Sequence, residues 1–262
     1  MDAISSIKNE TLNVQLPTSW RDLTESQLHY ICLLLSLGTQ LNELKIYAFV
    51  RFSGLDVVSK SKDGWIFRKR ISWRKNLYFV LDIDKIGWGV AQLAFLDEFP
   101  KTPIRVSAFG KFKAENALLL NVSFGKYLRL ENLWQRYLES KDDKILGDMT
   151  KILYTDAKGN GPEDPNVIMK TSTMLWFSSF KEMCYVHWPH LFKSNGKSSG
   201  KPSAPINMEQ IMNAQIRSLT QGDVTKEEKV LNLDLWRALT ELDAKAEDAS
   251  ETKKQMAKYK AK

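Results

Sequence analysis

Cys184, His187 and His190 recur at every third position, and these are residue types that bind transition metals. On one continuous helix the spacing brings a thiol and two imidazoles near a single line, the start of a zinc-type ligand set. Pro189 interrupts the helix before the last of the three, no fourth ligand is near, and the neighbours Trp176, Tyr185 and Trp188 point instead to core or interface packing. Gly196-Lys-Ser198-Ser-Gly200 matches the nucleophile elbow G-x-S-x-G, but that motif needs a strand before it and a helix after it, and neither pattern is present. Gly196-Lys197-Ser198 lacks the earlier glycine of a phosphate loop, since position 191 is Leu191. Asp82-Ile83-Asp84 ahead of Gly87 begins like a calcium loop, yet Ile86 and Leu93 stand where oxygen ligands belong. His29 is the only further histidine, and no H-E-x-x-H or Cys/His pairing is found. The expectation is a protein that is not an enzyme, with no catalytic residues, no metal and no cofactor.

What remains is charge. Lys60, Lys62, Arg68, Lys69, Arg70, Arg74 and Lys75 face only Asp63 across residues 60 to 75, so most of the net charge of +7 sits in this arm. The segment WIFRKRISW alternates: Trp65, Phe67, Lys69, Ile71 and Trp73 fall on one side, and Ile66, Arg68, Arg70, Ser72 and Arg74 on the other. A rise of about 3.3 Å per residue puts alternate arginines roughly 6.6 Å apart, near the spacing of successive phosphates. A nucleic-acid arm fits this pattern. So do the solvated outer face of an antiparallel sheet and a surface for an acidic protein partner.

The elements that would position these residues follow from periodicity. Ser123 to Tyr154 reads as two helices. Tyr127, Leu130, Leu133, Trp134, Tyr137 and Leu138 share one face of the first, and Ile145, Leu146, Met149, Ile152 and Leu153 one face of the second, which Asp142-Asp143 opens. Residues 11 to 21 look extended around Pro17. Thr24 with Gln27 forms a capping box for a helix that ends at Gly38, and a second helix, 41 to 52, stops at Gly54. Residues 57 to 81 have strand character with a Lys62-Asp63-Gly64 turn, a helix runs from Asp84 towards Pro100, and strands are expected at 104 to 106 and 117 to 122. Residues 155 to 165 are a loop, and 166 to 192 a long helix broken near Pro189. KSNGKSSGKPSAP, 193 to 205, has linker composition. Beyond it Met208, Ile211, Met212, Ile216 and Leu219 mark one amphipathic helix, and Trp236, Leu239 and Leu242 the seam of another from about Leu233, with a charged end after Ala246 that frays.

The fold class is therefore α+β and predominantly helical. A main domain at 1–192 carries a small antiparallel sheet and hairpin within 57–122, a flexible linker spans 193–205, and a C-terminal helical module occupies 206–262. Narrow apolar stripes on that module call for something to pack against, which makes Trp134, Tyr137, Ile211, Met212, Trp236 and Leu239 candidate partner-binding residues. Cys32 and Cys184 are the only cysteines, a reduced setting is expected, and the N-terminus has no apolar export segment. Runs such as Ile31 to Leu37 fall far short of the roughly 20 residues that span a bilayer, so no membrane partner is expected.

Three segments carry a resemblance: LPTSWRDLTESQL near the start, FGKYLRLENLWQRYL followed by ILGDMTKILY, and AQIRSLTQGDVTKEEKVLNLDLWRALTEL towards the end. Together they resemble proteins of uncharacterised function carried by bacteriophages and prophages, and the last segment is similar to tail-assembly chaperones and related virion-assembly proteins. The resemblance implies a non-enzymatic structural or assembly role, with other phage structural proteins or a second copy of the chain as partner. It also implies a location in the cytoplasm of the bacterial host or in the virion. A nucleic-acid-binding protein that uses the basic hairpin at 60–75 to contact DNA is the alternative.

Overall fold

The computed structural model describes residues 14–70, 72, 75–192 and 208–260. The linker at 193–205 and Ile71, Trp73 and Arg74 of the basic arm lie outside the described residues. Among the described residues ten helices and two three-stranded antiparallel sheets make the protein α+β and mainly helical. The chain divides into two compact units, at residues 1–100 and 101–262.

In the first unit the capping box forms as expected: Gln27 N donates to Thr24 Oγ1 at 3.3 Å and Thr24 N to Gln27 Oε1 at 2.8 Å. It opens α1 (Glu25–Ser36), and α2 (Leu41–Ser53) returns against it and ends at Gly54, whose φ of +66° is the left-handed conformation that glycine adopts without strain. Strands β1 (Asp56–Lys60), β2 (Gly64–Arg70) and β3 (Asn76–Asp82) form a meander in the order β1-β2-β3, with a bulge between Val57 and Ser59. The alternation read from the sequence holds from Trp65 to Arg70. Phe67 and Phe79 are buried, with Trp65, Leu77 and Leu81 packed beside them, while Arg68 and Arg70 are exposed on the opposite face. Phe67 meets Phe49 of α2 edge to face, with ring centroids 6.4 Å apart. Asp82 caps α3 (Ile83–Ala91) by accepting from Lys85 N at 2.8 Å, and Gly89 lies so close to the Phe49 ring that a side chain there would collide with it. That helix is shorter than the sequence pattern suggested. Leu93 and Leu96 are instead buried from a 3-10 turn at Ala94–Asp97.

The second unit corrects two strands. Residues 104–106 and 117–122 are not strands, because their backbone hydrogen bonds go to side chains and turns, save for a single pairing at Val122 O. Val106 N donates to Ser172 Oγ at 3.1 Å and Val106 O accepts from Tyr154 OH at 3.0 Å. The carbonyls of Ala117 and Leu118 accept the indole N–H groups of Trp176 and Trp236 at 2.7 and 2.8 Å, and Leu119 N turns back to Asn116 O at 2.8 Å. The sheet here is β4 (Ala108–Phe109), β5 (Phe112–Ala114) and β6 (Tyr154–Thr155), so 57–122 does not form one sheet. The two central helices occur as read: α4 (Phe124–Ser140) is capped by Ser123 and α5 (Asp143–Leu153) by Asp142. Leu138, however, is 40% exposed and Leu128 takes a place in the core. The helix α6 (Val167–His187) breaks at Trp188 before the short α7 (Pro189–Phe192).

The C-terminal helices α8 (Met208–Thr220), α9 (Glu227–Leu231) and α10 (Leu235–Lys260) are not a separate module. Leu235, Ala238, Leu239 and Leu242 of α10 share one core with Tyr127, Leu130 and Trp134 of α4 and with Trp176, Phe177 and Phe180 of α6. The chain is also sewn in by backbone pairing, Phe124 N to Leu233 O and Leu235 N to Val122 O, both at 2.8 Å. The charged end continues as helix to Lys260, with Glu247 to Tyr259 exposed.

Candidate anionic-partner groove

The described members of the basic set sit on or beside the sheet of the first unit, but they do not form one face. Arg68 and Arg70 project from the outer side of β2, with Tyr78 of β3 opposite Arg68. Lys69 lies half-buried on the inner side, and Lys62 and Lys75 are exposed beyond the strand ends. Arg68 is partly neutralised, since its Nε and Nη2 donate to Asp56 Oδ2 at 3.3 and 3.0 Å. Both side chains are well exposed, so this pair contributes little to stability. Lys60 closes β1 with its ammonium 4.4 Å from the Trp65 ring centroid, a cation–π contact that fixes the direction of the charge.

Lys60 and Arg68 line a groove of about 650 Å³ between the second half of α2 and β1. It is lined by Ile46, Tyr47, Val50 and Arg51 of α2, by Leu55 and Val57, and by Trp65. Arg51 stacks 5.7 Å from the centre of the Tyr30 ring. Three cations, Arg51, Lys60 and Arg68, thus stand against one carboxylate, Asp56, around an aromatic and aliphatic trough. Sequence reasoning missed Tyr30, Tyr47 and Arg51. The signal was present in the steps Tyr47, Val50, Arg51 and Gly54, which put those residues on one stripe of α2 beside its apolar face.

The aromatic candidates are placed differently. Trp134 and Leu239 are buried in the second unit's core. Tyr137 is half-buried with its hydroxyl 3.6 Å from Met174 Sδ, and burial, with Asp143 a lesser cause, raises its pKa. Met212 is half-buried, with its sulfur 3.9 Å from Asn132 Nδ2. Trp236 is half-buried and committed through its indole N–H to Leu118, whereas Ile211 is 42% exposed. Most of this set packs its own chain.

Among the other reactive groups, burial pushes the Cys184 thiol up to about 12, so it holds its proton. His187 meets the rings of Trp188 and Trp236 edge to face with centroids 5.1 and 5.0 Å away, and His190 Nε2 faces Glu247 Oε1 at 3.5 Å. Among the described residues no group of three or more His, Cys, Asp and Glu side chains is placed to hold a metal ion. Lys181 and Glu131 form a buried pair at 2.7 Å that Tyr127 OH and Gln135 Nε2 complete by donating to the carboxylate at 3.1 and 2.8 Å. Among the described residues no helix is long and apolar enough to cross a membrane.

Comparison of the chain with protein-family models, with curated proteins and with solved structures gave no match.

Proposed function

We propose that the chain is a non-enzymatic, bacteriophage-type structural or assembly protein that works through protein–protein contacts, and that the groove between α2 and β1 is its contact surface. The observation that carries this reading is an excess of fixed positive charge around an apolar trough beside a strand edge. Such a surface combines the apolar area that drives association with charge that selects and steers an acidic partner. The three resembling segments supply the phage context, with the host cytoplasm or the virion as its setting.

The DNA-binding reading draws on a different observation: Arg70, Lys62 and Lys75 are exposed outside the groove. The two separate in one titration. Fluorescence anisotropy of the full chain at 150 mM salt compares an acidic peptide of alternating glutamate and valine with a 20-base-pair duplex. The assembly reading expects the peptide to bind at this salt and the duplex not to bind even at 50 mM. Duplex binding at 50 mM that weakens steeply towards 200 mM, with no peptide binding, would transfer the function to nucleic acid.

A further inference from the structure

We infer that the groove takes its partner as a β-strand: an extended acidic segment of another protein adds to the free edge of β1 and makes a fourth strand of the sheet. This deepens the proposed function and rests on it. Among the described residues β1 is paired on one side only, by β2. Alternate residues of an antiparallel edge strand turn their N–H and C=O groups away from the sheet, so β1 presents an unused ladder next to the trough. An incoming strand would then have alternate side chains directed to the apolar wall of α2 and the others to solvent and the cationic rim.

The chemistry of the rim selects the occupant. Arg51 and Lys60 flank the trough on opposite sides, one on the helix and one on the strand, and Arg68 adds a third positive charge at the edge. A second copy of this chain docking edge to edge would bring the same three cations against each other, which disfavours self-pairing. A nucleic acid would satisfy the charge but has no use for the strand's amides. An acidic, alternating polypeptide uses all three features: amides, trough and charge.

The test uses the full chain and three versions of one acetylated, amidated, fluorescent peptide of alternating glutamate and valine, the first of them unmodified. In the second version alternate backbone nitrogens carry methyl groups, which leaves the charge and side chains in place and removes the ladder donors on one edge. Methylating the other alternate set provides the matched control. Strand addition predicts that one methylated set binds at least tenfold more weakly than the parent while the other binds nearly as well. Arg51→Glu with Lys60→Glu, both exposed positions whose retained fold is checked by circular dichroism, should weaken the parent peptide by at least tenfold too. Equal binding of all three peptides would overturn strand addition while leaving an acidic-partner groove in place. Absence of binding by all three, with the duplex retained, would overturn both readings.

Discussion

Lys181 and Glu131 place opposite charges 2.7 Å apart in the second unit with side chains only 10% exposed. Removing one partner strands the other in a low-dielectric site, so Lys181→Met is expected to cost about 3–5 kcal/mol, whereas the double change with Glu131→Leu should recover much of that loss. Urea unfolding of the single and double variants measures the coupling, and simple additivity would contradict it. Cys184 gives a pH prediction with a definite sign. Its thiol is shifted from 9.0 to about 12 by burial, so the unfolded chain ionises first. The stability contribution is full below pH 9 and declines as pH rises from 9 towards 12. Tyr127, buried beside Glu131, shifts in the same direction. Cys184→Ala should flatten the alkaline loss seen in thermal melts, and an unchanged slope would count against the assignment. At this scale the sequence was legible where a signal is local. The Thr24–Gln27 box and the alternation of Phe67 with Arg68 and Arg70 follow from spacings of three residues or fewer. The Lys181–Glu131 pair joins two helices 50 positions apart, and no spacing encodes it.

Helix α10 does two jobs along its length. Its first turns supply Leu235, Ala238, Leu239 and Leu242 to the core, whereas Glu247 to Tyr259 contact solvent. A chain ending at Phe192 therefore uncovers the core residues of α4 and α6, and it is expected to bind a hydrophobic dye and aggregate. A chain ending at Glu247 should keep the full-length melting temperature and lose only helical ellipticity. Comparing the two truncations by calorimetry and light scattering checks both outcomes; a folded, monomeric chain ending at Phe192 would contradict the shared core. The long helices were readable because each shows several turns of one period. The strands β4 to β6, two or three residues each, carry no period at all. Residues 104–106 and 117–122 look like strands by composition, but Ser172, Trp176 and Trp236 claim their backbone groups from a distance.

For the whole molecule, composition pointed to the basic hairpin but not to the trough beside it, because the trough needs α2 and β1 side by side. Linker composition also misplaced the unit boundary. It falls between Pro100 and Lys101, where the sequence has only two prolines within four residues, while the Ser/Gly/Lys-rich stretch interrupts the second unit between helices that share a core. A linker signature reports local polarity and says nothing about what the flanking helices bury. The central claim, that an acidic strand docks on β1 in the groove under α2, is tested most directly by amide hydrogen exchange on the full chain with and without the glutamate–valine peptide. Strand addition predicts new protection confined to Asp56 through Lys60 and to the facing turns of α2 from Ile46 to Gly54. Protection that appears around Arg70 and Lys75 instead, or nowhere in the first unit, would contradict it.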